Sequence, residues 1–565
     1  MKLREPELRL SGAARGLVVF ACLSVAVSCA LPAQAAIVEV SSDGAWSWFS
    51  DPRALWHNNK VYVGWVTKDG DVQVAKHDLQ NQLTTTYDLA PDFQPDDHDY
   101  PAFYVTSDGR MTAFYSKHAG SGNYTQYRTM VDPWGVSSWF PQRSIDTNTP
   151  GSGGATYSNP FTIPGETNRI YLFWRGGNWK PCYTTGVYNP ELQSWTWERA
   201  RTLIYTESGR PYVKYAACES GVIGLAFTSG HPYESDSRLY YAAVGKGKDG
   251  VDAYFRSDGS MIKTMAAGPL YVSEAEVVYD GSLSPNDVPT ESWVWDIAFD
   301  DEGHPTIVFA SFPSKVRHRY HWARFDGETW QNHVLVENAG GSVADTTIGN
   351  PQYYYSGGIA LDHTDVGTVY LSRANDVGGW DLERWKTTND GASWSVMPIT
   401  TDWPMDNMRP VVPENRPQDT EMVLWMSGVY DYYANLGNDR WWPAGSREYN
   451  YDTAILLWID RYYAGVEEEG LSSPLSLRAP SPNPFHSAAA LSFELAAELP
   501  VRLEIFDVSG RLVRTLLDAN AMAPGLHRAV WDGRDNAGAE AGSGVYFGRL
   551  SSGDIVATGK MVLMR

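Results

Sequence analysis

His98 and His118 stand twenty residues apart in adjacent strand–turn units, followed along the chain by Tyr157 and Arg175. These are the residue types needed to cleave a uronic acid glycoside by β-elimination. One group must neutralise the carboxylate, a second must remove the weakly acidic C5 proton, and a third must protonate the departing O4 oxygen. The planar fork of an arginine matches a carboxylate, and histidine and tyrosine suit the two proton transfers. Nothing local divides acid from base among His98, His118 and Tyr157. Each residue also has a plainer reading. His98, among Asp96, Asp97 and Asp99, reads as a loop histidine with a raised pKa, His118 as a turn cap, Tyr157 as a channel-facing aromatic, and Arg175 as the partner of a buried acid such as Asp296.

A second basic and aromatic group, Arg210, Tyr212 and Lys214 with Asn178 counted beside it, offers sugar-stacking and anion-holding chemistry; its plain reading is a buried strand with charged ends. His231, His318 and His321, with His304 and Cys218, are candidate ligands for a structural metal. No tight Cys/His spacing supports them, and Gly-His-Pro at 230–232 and 303–305 also reads as turns. The elimination chemistry itself requires no cofactor.

The elements that must position these groups read as short strands. The chain holds 23 Trp, 33 Tyr and 51 Gly, and long helical periodicity is missing. Segments such as 61–66, 169–174, 224–228, 306–310 and 367–371 are apolar runs bounded by Gly, Asp or Asn turns. Asp-Gly recurs close to Trp at Asp43/Trp46, Asp326/Trp330 and Asp390/Trp394. The expected fold class is all-β: a β-propeller of seven blades over residues 36–460, with six blades or two packed sandwiches as competitors. In a propeller, equivalent positions of successive blades converge on one mouth of the channel, so His98, His118, Tyr157 and Arg175 can share a site. A Pro/Ser-rich linker is expected over 461–484 and a small β-sandwich over 485–565, where apolar and polar residues alternate.

Residues 1–35 have the pattern of a secretory leader: Lys2, Arg4, Arg9 and Arg15, an apolar run, then Ala33-Gln34-Ala35. The expected location is therefore outside the cell or on a bacterial surface. Cys182 and Cys218 then remain, as one disulfide or two buried thiols. A formal charge of −22 excludes nucleic acid as a partner and confines any polyanion site to a local basic pocket.

Thr387-Thr-Asn-Asp-Gly-Ala-Ser-Trp394 resembles the Asp-box turn of bacterial neuraminidase repeats, with Asn389 where Asp is usual. Trp48-Phe-Ser-Asp-Pro-Arg-Ala54, Asp97-His-Asp-Tyr-Pro101, Tyr115-Ser-Lys-His118, Ala155-Thr-Tyr-Ser-Asn-Pro160, Tyr171-Leu-Phe-Trp-Arg-Gly-Gly-Asn-Trp-Lys180 and Gly209-Arg-Pro-Tyr-Val-Lys-Tyr215 together resemble the neuraminidase-repeat family that includes propeller-type ulvan lyases. That resemblance implies His98 as base, Tyr157 as proton donor or second base, Arg175 as carboxylate neutraliser, His118 as a supporting group, and an acidic polysaccharide as partner. It also admits a structural metal. The tail, through Ser481-Pro-Asn-Pro-Phe485, Ile505-Phe-Asp-Val-Ser-Gly-Arg511 and Gly542-Ser-Gly-Val-Tyr-Phe547, is similar to flagellar-hook-capping Ig-like and type IX sorting domains. This implies contact with outer-membrane secretion or attachment machinery. Two other functions stay open: a sialidase-like hydrolase using Arg53, Arg175 and Arg373, and a noncatalytic carbohydrate-binding propeller.

Overall fold

The apolar runs become strands buried on both faces, as in Lys60–Val66 and Arg169–Arg175, while outer strands such as Leu83–Ala90 carry exposed and half-buried residues up to their last two positions. In the computed structural model, residues 36–118, 124–147, 151, 154–234, 237–281, 291–343, 353–403, 405–431, 450–461 and most of 475–565 are described. The leader at 1–35 lies outside them, as does most of the stretch read as a linker.

Among the described residues, seven antiparallel sheets of four or more strands follow one another between Ala36 and Arg461. Their inner strands are Ala54–His57, Ala102–Val105, Thr156–Phe161, Tyr212–Cys218, Ser292–Phe299, Ile359–Leu361 and Asp406–Val411. The last sheet takes its outer strand from the N-terminus: Ala36–Ser41 pairs with Asn450–Arg461, Ala36 opposite Ile459. Backbone bonds from Trp56 N–H to the Glu414 carbonyl (2.8 Å) and from Glu414 N–H to the Ala54 carbonyl (3.0 Å) join the first sheet to the last. The fold is a β-propeller.

The turns work as the sequence suggests. Thr387 Oγ1 accepts from Gly391 N–H (3.0 Å), and Asn389 Oδ1 accepts from Ser393 N–H (2.9 Å), so the amide does the capping usually given to Asp. Gly391 sits at φ +81°, where a side chain would be strained. Trp394 then meets Trp322 of the preceding sheet edge-on at 5.7 Å. Cys182 and Cys218 are separate buried thiols, so the disulfide alternative falls.

The tail forms two sheets, Leu475–Leu477/Ala489–Leu495/Gly525–Trp531 and Leu512–Met522/Leu499–Asp507/Gly544–Ser552/Ile555–Leu563, around a core that includes Trp531, Phe493, Ile505 and Leu550. Its first strand lies inside 461–484, so ordered structure begins there before residue 485.

Candidate active site

Strand register brings the two histidines together. Ala102 pairs with Phe114 in the second sheet, and extending that register sets 98 opposite 118 at the same end of the hairpin. Their imidazoles stack with centroids 3.9 Å apart and planes 8° from parallel. Asp96 lies beneath both: Oδ1 is 2.6 Å from His98 Nδ1, and Oδ2 is 2.8 Å from His118 Nδ1. Asp97 Oδ1 stands 2.7 Å from the same nitrogen of His98, and Asp99 Oδ1 accepts the backbone N–H of His118 at 2.9 Å.

Two stacked imidazoles sharing one carboxylate do not both carry a proton readily. Burial disfavours charge on His98, but Asp96 and Asp97 outweigh it and raise its pKa to about 9. Burial and then the neighbouring His98 push His118 down to about 4. At neutral pH His98 is therefore the cation and His118 the neutral ring. With Nδ1–H given to Asp96, His118 keeps a lone pair on Nε2.

Tyr157 comes from the third sheet. It sits in the register shift between Thr156 and Asn159 at φ +66°, a left-handed position rare for an aromatic residue, and the bulge turns its ring toward the histidines. Its centroid is 5.2 Å from that of His98. Burial holds its phenol well above the ordinary value, hence protonated. Arg175 pairs with Thr156 across the same bulge. Its guanidinium carbon lies 4.6 Å from the Tyr157 ring, 4.8 Å from that of Trp179 and 5.4 Å from that of Tyr212, and Nη1 donates to Tyr212 Oη at 2.9 Å. Asp296 instead faces His363 and the backbone N–H of Leu361. Tyr157, Arg175, Tyr212, Phe49 and Asn159 line a narrow pocket.

Four of the candidate residues thus form one cluster, with Tyr212 beside them. Asn178 and Arg210 line a separate open groove next to Arg175. Lys214 lies elsewhere. Two residues further along the Tyr212 strand, it is ion-paired with Asp51 and donates to the Trp48 carbonyl at 2.7 Å, deeper in the channel.

The metal set His231, His318 and His321 is not assembled. His318 and His321 are three apart on one strand and face opposite sides of it. His318 spends both ring nitrogens on Ser356 Oγ and the Tyr353 carbonyl, each at 2.8 Å, and His321 meets Ser311 Oγ at 2.8 Å. His231 packs instead near Trp293 and Tyr212. Arg53, Arg175 and Arg373 also do not converge: Arg53 pairs with Asp51, and Arg373 pairs with Glu383.

Sequence reasoning missed the groups behind His98. Asp97 Oδ2 accepts from Arg409 Nη1 at 2.6 Å and from Tyr430 Oη at 2.7 Å. Arg409 is wholly buried at φ +54° and also donates to the Trp46 carbonyl. The Asp-Asp-His-Asp run at 96–99 was a visible signal, whereas nothing in Met408-Arg-Pro410 marks an arginine reaching back across the chain.

Comparison with known proteins agrees with this architecture. Residues 60–338 match the BNR repeat-containing family. Residues 482–553 match the FlgD Ig-like domain. A polysaccharide lyase described as an ulvan lyase, solved alone and bound to -[GlcA(1-4)Rha3S]-, superposes with a TM-score of 0.52 at 13% identity, covering 70% of this chain and 94% of that one. An exo-alpha-sialidase of Aspergillus fumigatus is 33% identical over 123 residues, which is 19% of this chain and 29% of the relative. The chain is a β-propeller protein with an Ig-like tail.

Proposed function

We propose that the protein is an exported polysaccharide lyase that cleaves a uronate-containing, ulvan-like glycan by β-elimination. The observation that carries this reading is the convergence of a neutral imidazole, a charged imidazole, a protonated phenol and a guanidinium within one cluster. Arg175, oriented by Tyr212, and the His98 cation offset the uronate charge, which makes the C5 proton more acidic. His118 Nε2 takes that proton. The C5–H electron pair becomes the C4–C5 double bond, the C4–O4 bond breaks, and Tyr157 Oη–H protonates O4. This reverses the histidine roles implied by family resemblance, because the carboxylates sit against His98.

An ulvan lyase among the structural neighbours supports the same reaction class. The leader pattern at 1–35 and the FlgD-like tail support export and surface attachment, with secretion machinery as the partner of the tail. The test is ultraviolet absorbance of the full chain incubated with uronate glycans, ulvan included. Absorbance should rise as the unsaturated uronate forms, and Arg175→Ala should abolish the rise. A flat trace with the native protein across the panel would reject the lyase reading.

A further inference from the structure

Beside the cluster runs an open groove between the loop at 176–180 and the segment at 202–210. Its wall toward the cluster is Trp179, whose ring also receives the Arg175 guanidinium at 4.8 Å, so groove and pocket share one side chain. The loop is built at a conformational cost. Asn178 and Trp179 are consecutive non-glycine residues at φ +53° and φ +62°, and such pairs persist only where their surroundings over-determine them. Two contacts do so: Lys180 Nζ donates to the Gly209 carbonyl at 2.6 Å, tying the two groove walls together, and Gly151 packs where any Cβ would meet Asn178 at 2.4 Å.

The far side of the groove carries Tyr205, which is 38% exposed. It belongs to a two-stranded parallel pair, Ile204–Tyr205 with Leu270–Tyr271, that is part of none of the seven sheets. Tyr271 braces it edge-on at 5.6 Å. Lys180 and Arg210 against Glu207 make the lining locally basic in a chain of net charge −22.

Resting on the lyase reading, we infer that this groove is a second sugar subsite: Trp179 and Tyr205 stack on a pyranose of the same glycan adjoining the uronate held by Arg175, and Arg210 meets an anionic substituent such as a sulfate ester. Aromatic faces suit the apolar face of a sugar ring, and a guanidinium suits the oxygens of a sulfate.

Tyr205→Ala is the clean variant, because Trp179 also touches Arg175. On polymeric ulvan it should raise KM roughly tenfold with kcat changed by less than about twofold, the equivalent of one lost stacking contact. Migration through an ulvan-containing native gel should speed up to match. Leu192→Ala, at an exposed hairpin tip outside the groove, should leave both readouts as in the native protein. Lyase activity with KM and migration unchanged in Tyr205→Ala would overturn the subsite and leave the lyase reading standing. Retardation of the native protein that Tyr205→Ala loses, without any cleavage, would uphold the subsite and reject the lyase. Neither cleavage nor retardation would reject both.

Discussion

Among the described residues, His98 and His363 are each held between two carboxylates, and they differ in what surrounds them. His98 lies against Asp96 and Asp97; His363 lies with Nδ1 2.7 Å from Glu414 and Nε2 3.3 Å from Asp296. Both pKa values are raised despite burial, by the paired acids. Around His363 the remaining charges close on themselves: Lys214 and Arg53 both pair with Asp51, and the Trp48–Trp295 stack, with centroids 4.1 Å apart, lines the same part of the channel. Around His98 they do not close. A second, neutral imidazole lies against it, and a phenol and a guanidinium share the cavity beyond. An ion pair whose partners satisfy one another is a structural device, whereas one that leaves an adjacent base with a lone pair can do chemistry.

That contrast can be broken most directly at His118. His118→Ala should lower kcat/KM for elimination by roughly 10²–10⁴-fold, the range for loss of a positioned base, while the thermal transition stays near that of the native protein. If activity survives, the open cluster is no more catalytic than the closed one.

Arg409→Ala should cost about 3 kcal/mol of stability in a urea titration, because it removes the buried cation paired with Asp97 in the interior. The conservative Arg409→Lys should recover part of that, and a shifted pH–rate profile would mark its reach to His98. A stability loss with an unshifted profile would make Arg409 purely structural.

His363→Gln should cost less, about 2 kcal/mol, since His363 and Glu414 are only partly buried, and the folded fraction should keep its activity. A collapse of activity at unchanged stability would place the deep cluster in the chemistry and end the distinction drawn above.

The finest discrimination is in pH. Activity should need His118 unprotonated and His98 protonated, so kcat/KM should rise through about pH 4 and fall through about pH 9. Stability follows a different course. The folded pKa of His363 is raised, so its contribution is complete below the unfolded value near 6.5 and is lost as pH climbs. The pKa of His118 is lowered, so the fold loses stability as pH drops from about 6.5 toward 4. His363→Gln should remove part of the alkaline stability loss and leave both limbs of the rate profile in place.

Much of this was legible beforehand. Turn chemistry around Asn389 and Asp326, apolar runs at strand length and the alternating tail announced an all-β propeller with a sandwich after it. His98, His118, Tyr157 and Arg175 were recognisable as a set through the short motifs that resemble the neuraminidase-repeat family, which are local runs of sequence; each residue alone also had a plainer reading. Lys214 and the histidines at 231, 318 and 321 misled for the converse reason. Type alone does not reveal that Lys214 meets Asp51, or that His318 and His321 point to opposite faces of a strand.

By itself the sequence determined the periodicity of the strands, the turns between them and the chemical repertoire, since these depend on neighbours a few residues apart. Only the tertiary structure decided which histidine is charged. That depends on Asp96 and Asp97 lying against His98, and Asp97 is itself held by Arg409 and Tyr430, more than three hundred residues further along the chain. Electrostatics acts through distance in space, and the propeller brings its last sheet against its first.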